Sequence, residues 1–189
     1  MNRRQVLQWL SGGIAAACSA VVVVPGVSYV LATVRKREVS KAVLRRVAPL
    51  SALRPGRLVA MPITGSRSDA WTMHPQELIG RVWLLRKSDE STPAGQVEVQ
   101  AFTTICPHLG CETQEAAGGQ GIFCPCHKAK FGLDGAKVGH QKHGERNHAP
   151  RALDSLECRV VQDEASGEWW VDVKYEEFER GLTKKIAKA

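Results

Sequence analysis

Two short runs decide how this sequence is read: 106-CPHLGC-111 and 124-CPCHKAKF-131. They hold four of the six cysteines and two of the six histidines in a chain of 189 residues. The spacing is Cys106-x-His108, fifteen residues, then Cys124-x-x-His127, with Cys111 and Cys126 inside the same runs. Thiolate and imidazole together suit zinc or an iron–sulfur cluster. Two thiolates can hold one iron and two imidazoles another. A zinc site would use the same four ligands and leave the second cysteine pair without a task. Disulfides alone would leave the paired histidines unexplained.

CPHLGC and CPCH resemble the Rieske iron–sulfur family, whose pattern is C-x-H-x-G-C followed by C-P-C-H. The resemblance implies one [2Fe–2S] cluster, with Cys106 and Cys124 on the inner iron and His108 and His127 on the outer one. It also implies a disulfide between Cys111 and Cys126, which requires an oxidising compartment. Gly110 is expected to allow the tight turn of the first loop. Leu109 is expected to be the apolar shield at its tip, and Pro107 and Pro125 to stiffen the loops. HAPRALD, with Pro150, resembles the proline-containing third loop that covers the cluster, although the glycine usual before it is absent. Neutral imidazole ligands raise the potential above that of an all-cysteine cluster. They also become more basic on reduction. His127 is therefore the expected quinol contact and proton acceptor.

The second run ends in KAKF, where respiratory relatives continue with a serine and a tyrosine whose hydroxyls donate to cluster sulfurs. Ala129 and Phe131 stand at those two positions and cannot donate. The potential is therefore expected in the lower part of the Rieske range of about −150 to +300 mV. The charges of Lys128 and Lys130 offset little of this if solvent screens them. A low potential suits menaquinol, the stronger reductant, better than ubiquinol.

Outward from these runs the pattern is β-rich. Residues 57–61, 80–86, 97–105, 156–161 and 168–175 are short apolar runs with β-branched residues, separated by RPG, ITGSRSD, SDESTPAG, AAGGQG and DEASG. They predict an all-β domain over 47–175, an antiparallel β-sandwich whose cluster-binding subdomain spans about 103–152. Trp169, Trp170, Val171 and Val173 are expected in the core, and Cys158 as a small buried hydrophobe. The tail 176–189 is expected to form a short helix or to fray. His140, His143 and His148 invite a second metal site, but a solvated loop is the more ordinary expectation.

The N-terminus supplies the other half of the organisation. No charged residue occurs between Arg4 and Arg35. Residues 12–34 would make a helix about 35 Å long, enough to cross a bilayer. Pro25 and Gly26 would kink it, as membrane helices tolerate. Arg3 and Arg4 before the apolar stretch resemble a twin-arginine export signal, which suits a domain exported after it has folded. The basic residues of 35–46 would by themselves place the following domain in the cytoplasm. The export signal outweighs that count, so the domain is expected on the outer face of a bacterial inner membrane. Ala15-Ala16-Ala17-Cys18 only faintly resembles a lipoprotein site, and 1–34 is expected to stay as an uncleaved anchor. Residues 35–46 are then a hinge. The net charge of +7 is spread over linker and tail and does not form a nucleic-acid patch.

The family resemblance implies a subunit of a dimeric, quinol-oxidising cytochrome bc-type complex, with cytochrome b and a c-type cytochrome as partners. The chain has no haem-binding CxxCH and is not a complete enzyme alone. The alternative is the small Rieske subunit of an exported molybdenum oxidoreductase of the arsenite oxidase type. Soluble oxygenase ferredoxins lack the extra cysteine pair and the anchor.

Overall fold

Residues 82–85, Val-Trp-Leu-Leu, are buried without a polar residue among them, and that run sets the layering of this computed structural model. The structure describes residues 2–34, 43–68, 72–139 and 146–188. Beyond the N-terminal helix the described residues form ten strands: β1 (Leu44–Pro49), β2 (Leu58–Ser68), β3 (Met73–Arg86), β4 (Val99–Thr103), β5 (Gln114–Glu115), β6 (Ile122–Phe123), β7 (Lys130–Phe131), β8 (Ser155–Leu156), β9 (Cys158–Gln162) and β10 (Trp169–Lys174). They form three antiparallel sheets, ordered β1-β10-β9, β2-β3-β4-β8 and β5-β6-β7.

Successive side chains of a strand point to opposite faces. Val82 and Leu84 on β3 join Ile63 and Ala101 in one core, while Trp83 and Leu85 join Leu58 and Phe102 in another. The central sheet is thus covered on both faces, so β3 reads as a continuous apolar run. The first core is closed by the β1-β10-β9 sheet, through Ala48, Val171 and Val173, all fully buried. The second is closed by the chain between β4 and β8, through Cys106, Ile122, Cys124, Ala129, Phe131, Ala149 and Leu153. Its sheet has strands of only two residues each.

The fold is therefore the expected antiparallel all-β architecture with an N-terminal helix, and it departs from the sequence expectation in three places. Residues 63–68 of ITGSRSD do not turn. β2 runs through them to Ser68, pairing Ile63 with Gly80 and Gly65 with Glu77. Leu44, Arg45 and Arg46, expected in the linker, pair with Lys174, Val173 and Asp172; the hinge positions 35–42 lie outside the described residues. The tail is neither helix nor frayed end. Phe178 is buried in the first core, and the chain doubles back through Glu179 N–H to Ile186 O and Lys188 N–H to Glu177 O, both 2.8 Å. Trp169 and Trp170 are half-buried. So is Cys158, whose thiol donates to Val99 O at 3.1 Å.

The N-terminal unit is a single helix, Arg3–Val34, about 48 Å long at 1.5 Å per residue. It is unbroken by Pro25. Between Arg3 and Leu31 its most apolar 18-residue stretch has a mean hydropathy of 2.1, and the helix is long and apolar enough to span a bilayer. Trp9, Ile14, Val21, Val22 and Tyr29 are exposed all round it, which suits lipid rather than water.

Candidate metal centre

Two hairpin tips build the site. The first, 106–111, closes above the Ile105–Glu112 bridge; the second, 124–129, joins β6 to β7. Each is six residues long and opens with Cys-Pro. In each, the first residue's N–H donates to the sixth residue's carbonyl at 2.8 Å: Cys106 to Cys111, Cys124 to Ala129. The fifth residue has a left-handed backbone in both, Gly110 at φ 84° and Lys128 at φ 57°. A disulfide between Cys111 and Cys126 ties the tips together.

The first tip is fixed from below. Trp83 Nε1 donates to Thr113 Oγ1 at 3.0 Å, and that hydroxyl donates to Thr104 O at 2.7 Å, both within the protein interior. A third segment, 146–151, is pinned beside the second tip by Asn147. Its Nδ2 donates to Lys130 O and Val138 O, each at 2.8 Å, and its Oδ1 accepts from Ala149 N–H at 3.1 Å. Pro150 is half-buried in this segment and Ala149 fully buried.

The tips bring together the four residues that the spacing singled out. Cys106 and Cys124 are free, each 1% exposed. The His108 and His127 rings meet edge to face, 4.8 Å between centroids. His127 is exposed and His108 half-buried; Leu109 is 62% exposed at the first tip. Three features suit a metal with two sulfur and two nitrogen ligands. His108 Nδ1 is buried with no hydrogen-bond partner among the described residues. Burial pushes the Cys106 thiol up to about 12, with the neighbouring Cys124 adding to this and the His108 N–H opposing it. A thiol so placed ionises only beside a compensating cation. Burial, then the imidazoles of His127 and His148, hold His108 below its ordinary value, in the neutral form a metal binds.

Ala129 is fully buried and Phe131 is 2% exposed, so the second tip rests on apolar contacts at both of these positions. Lys128 and Lys130 are exposed. His148 is exposed and stacks on His108, with centroids 5.9 Å apart and planes 22° apart; His140 and His143 lie outside the described residues.

Sequence reasoning missed Asn147 and Arg151. Arg151 grips Asp154 through Nε to Oδ1 at 2.7 Å and Nη2 to Oδ2 at 2.8 Å, with side chains 9% and 4% exposed. The Asp154 carboxylate beside it raises the already high Arg151 pKa. The sequence signal is the polar and charged residues on either side of Pro150 in NHAPRALD.

Residues 59–156 match the Rieske [2Fe-2S] domain family. The chain is 23% identical over 183 residues to the cytochrome b6-f complex iron-sulfur subunit of Gloeobacter violaceus, across 91% of this chain and 85% of that one. It is 25% identical over 141 residues to the menaquinol:cytochrome c reductase iron-sulfur subunit of Bacillus subtilis, across 73% and 77%. Among solved structures, it superposes on a quaternary ammonium Rieske monooxygenase with gamma-butyrobetaine bound, at a TM-score of 0.42 and 21% identity over 71% of this chain. The chain spans 32% of that larger protein.

Proposed function

The chain belongs to the Rieske [2Fe-2S] domain family, and from that premise we propose that it is the electron-transfer subunit of a membrane quinol-oxidising complex of the cytochrome bc type. Its curated relatives are iron-sulfur subunits of such complexes, and its apolar helix suggests a single-pass membrane protein. The carrying observation is the layering of the site. Two sulfurs are buried below, and an exposed imidazole stands above, beside an exposed leucine.

Cys106 and Cys124 would hold one iron of the cluster, and His108 and His127 the other. The bound cluster supplies one-electron chemistry at a higher potential than an all-cysteine cluster. His127 would meet the quinol and take its hydroxyl proton on an imidazole nitrogen. Leu109 gives the quinol ring an apolar contact. The partner that takes the electron would be a c-type cytochrome. Ala129 and Phe131 donate no hydrogen bond, which favours a low potential and hence menaquinol. The Bacillus subtilis relative is named for that quinol. The disulfide favours an oxidising compartment, so the domain works on the outer side of the membrane.

Ala129 and Phe131 also sustain a second reading, the small subunit of an exported molybdenum oxidoreductase, where the cluster is a fixed relay. Purification of the native complex through this chain decides between them. Co-purifying b- and c-type haem, with a cluster reduced by menaquinol, supports quinol oxidation; molybdopterin without haem replaces it with the second reading. A redox titration above the middle of the range of about −150 to +300 mV would count against menaquinol.

A further inference from the structure

We propose that the C-terminal strap, 176–188, together with Arg151, locks the first hairpin tip, so that Arg151 is a positioning residue for Cys106 and His108. The strap touches that tip at successive points. Gly181 N–H donates to Pro107 O at 2.8 Å, on the residue between the two ligands. Gly181 is left-handed, at φ 73°, and a Cβ there would lie 3.8 Å from His108 O. The Arg180 guanidinium lies over Gly110, so close that a Cβ on Gly110 would sit 2.4 Å from its Nη1. A small cavity behind Cys106 and Pro107 is walled by Tyr175, Phe178 and Arg180.

Arg151 holds the strap in that place. Two of its donors grip Asp154; the others reach the carbonyls of Glu179, at 2.7 Å, and Leu182. Those carbonyls flank Gly181. The planar fork of a guanidinium can meet a carboxylate and two carbonyls together, and an ammonium cannot. Asp154 is itself built in, its carbonyl accepting from Thr103 N–H on β4 at 3.0 Å. The chain of contacts therefore runs from the central sheet through Asp154 and Arg151 to the strap, and from Gly181 to the peptide before His108. Strap residues other than Phe178 are largely exposed, so hydrogen bonds rather than burial hold them. Among the described residues the strap makes no such contact with the second tip, and Pro125, Cys126, His127 and Lys128 are all exposed.

This inference rests on Cys106 and His108 being ligands. The test uses the full chain with its cluster assembled, and reads the rate of visible bleaching under a chelator, the electron paramagnetic resonance g-values and the midpoint potential. Arg151→Met should release the cluster about tenfold faster, the scale seen when groups supporting a metal ligand are lost. The g-values should shift while far-ultraviolet circular dichroism stays unchanged. Arg151→Lys should restore little, because it keeps the charge and loses the fork. The double variant Arg151→Met/Asp154→Leu removes the carboxylate that the single variant orphans. It should still release quickly. Gly181→Ala, at an exposed position, should do the same with the Arg151–Asp154 pair intact, and it decides the matter alone if the double variant does not fold. Wild-type release and g-values in Gly181→Ala and in the folded double variant would overturn the lock. A His108→Ala chain with a wild-type spectrum would instead overturn the ligand assignment beneath it.

Discussion

The tips 106–111 and 124–129 share a backbone and differ in what surrounds it. Both open with Cys-Pro, close with the same hydrogen bond and bend through a left-handed fifth residue. In the first tip Pro107 is fully buried and a glycine makes the bend, with the Arg180 guanidinium packed against it. In the second, Pro125 is exposed and a lysine makes the bend, in open solvent. Positions three and four carry His108 and Leu109 in one tip, Cys126 and His127 in the other. The same turn thus serves as an anchored wall on one side and an exposed face on the other. One backbone solution can hold a ligand still or present it, depending on what packs behind it.

Breaking the link between the tips should have the largest effect. Cys111 and Cys126 are 15 positions apart, and a loop of that length gives a disulfide about 3 kcal/mol of stabilisation in the chain-entropy account. The strands around it are two residues long and cannot replace it. Cys111→Ser/Cys126→Ser should therefore lose its cluster while both longer sheets keep their circular dichroism. The first tip has the strap, so a proteolysis map should show the second tip opening before it. Equal opening of both would mean that the strap gives the first tip no protection of its own.

A smaller effect should come from the bend of the first tip. Gly110→Ala puts a Cβ on a residue at φ 84°, at a cost of about 1–2 kcal/mol. The clash with Arg180 adds less, because the guanidinium is the free end of a flexible side chain. Denaturant unfolding of the holoprotein should show this loss. Pairing the change with Arg180→Ala should recover the steric part and leave the backbone part.

What the sequence made legible, and what it hid, follows the same division. The paired Cys and His residues of 106–131 stood out because metal ligands need particular side chains at particular spacings. The apolar runs at 80–86 and 168–175 announced β3 and β10 because a buried strand must be apolar. The outer half of the β2–β3 hairpin and the strap gave no such signal. Apart from Phe178, the strap is largely exposed and rich in charge, and its own backbone carbonyls and N–H groups anchor it, which any residue supplies. The left-handed bend at Lys128 was equally hidden, since lysine has no preference for that conformation.

That hidden bend gives the finest test of the comparison. If the two tips share a backbone plan, Lys128→Gly should be tolerated and mildly stabilising. The left-handed region costs a side-chain-bearing residue about 1–2 kcal/mol, and glycine enters it freely. Glycine also widens the unfolded ensemble, which returns roughly 0.5–1 kcal/mol of that gain. The net expectation is a stabilisation of up to about 1 kcal/mol, opposite in sign to Gly110→Ala at the equivalent position. Lys128 makes no ion pair among the described residues, so its charge leaves no partner behind. Lys128→Ala separates the two contributions. It removes the charge and keeps the backbone cost, so it should leave stability near that of the parent chain. A stabilisation shared equally by Lys128→Ala and Lys128→Gly would assign the effect to charge, and the likeness of the two bends would then carry no energetic weight.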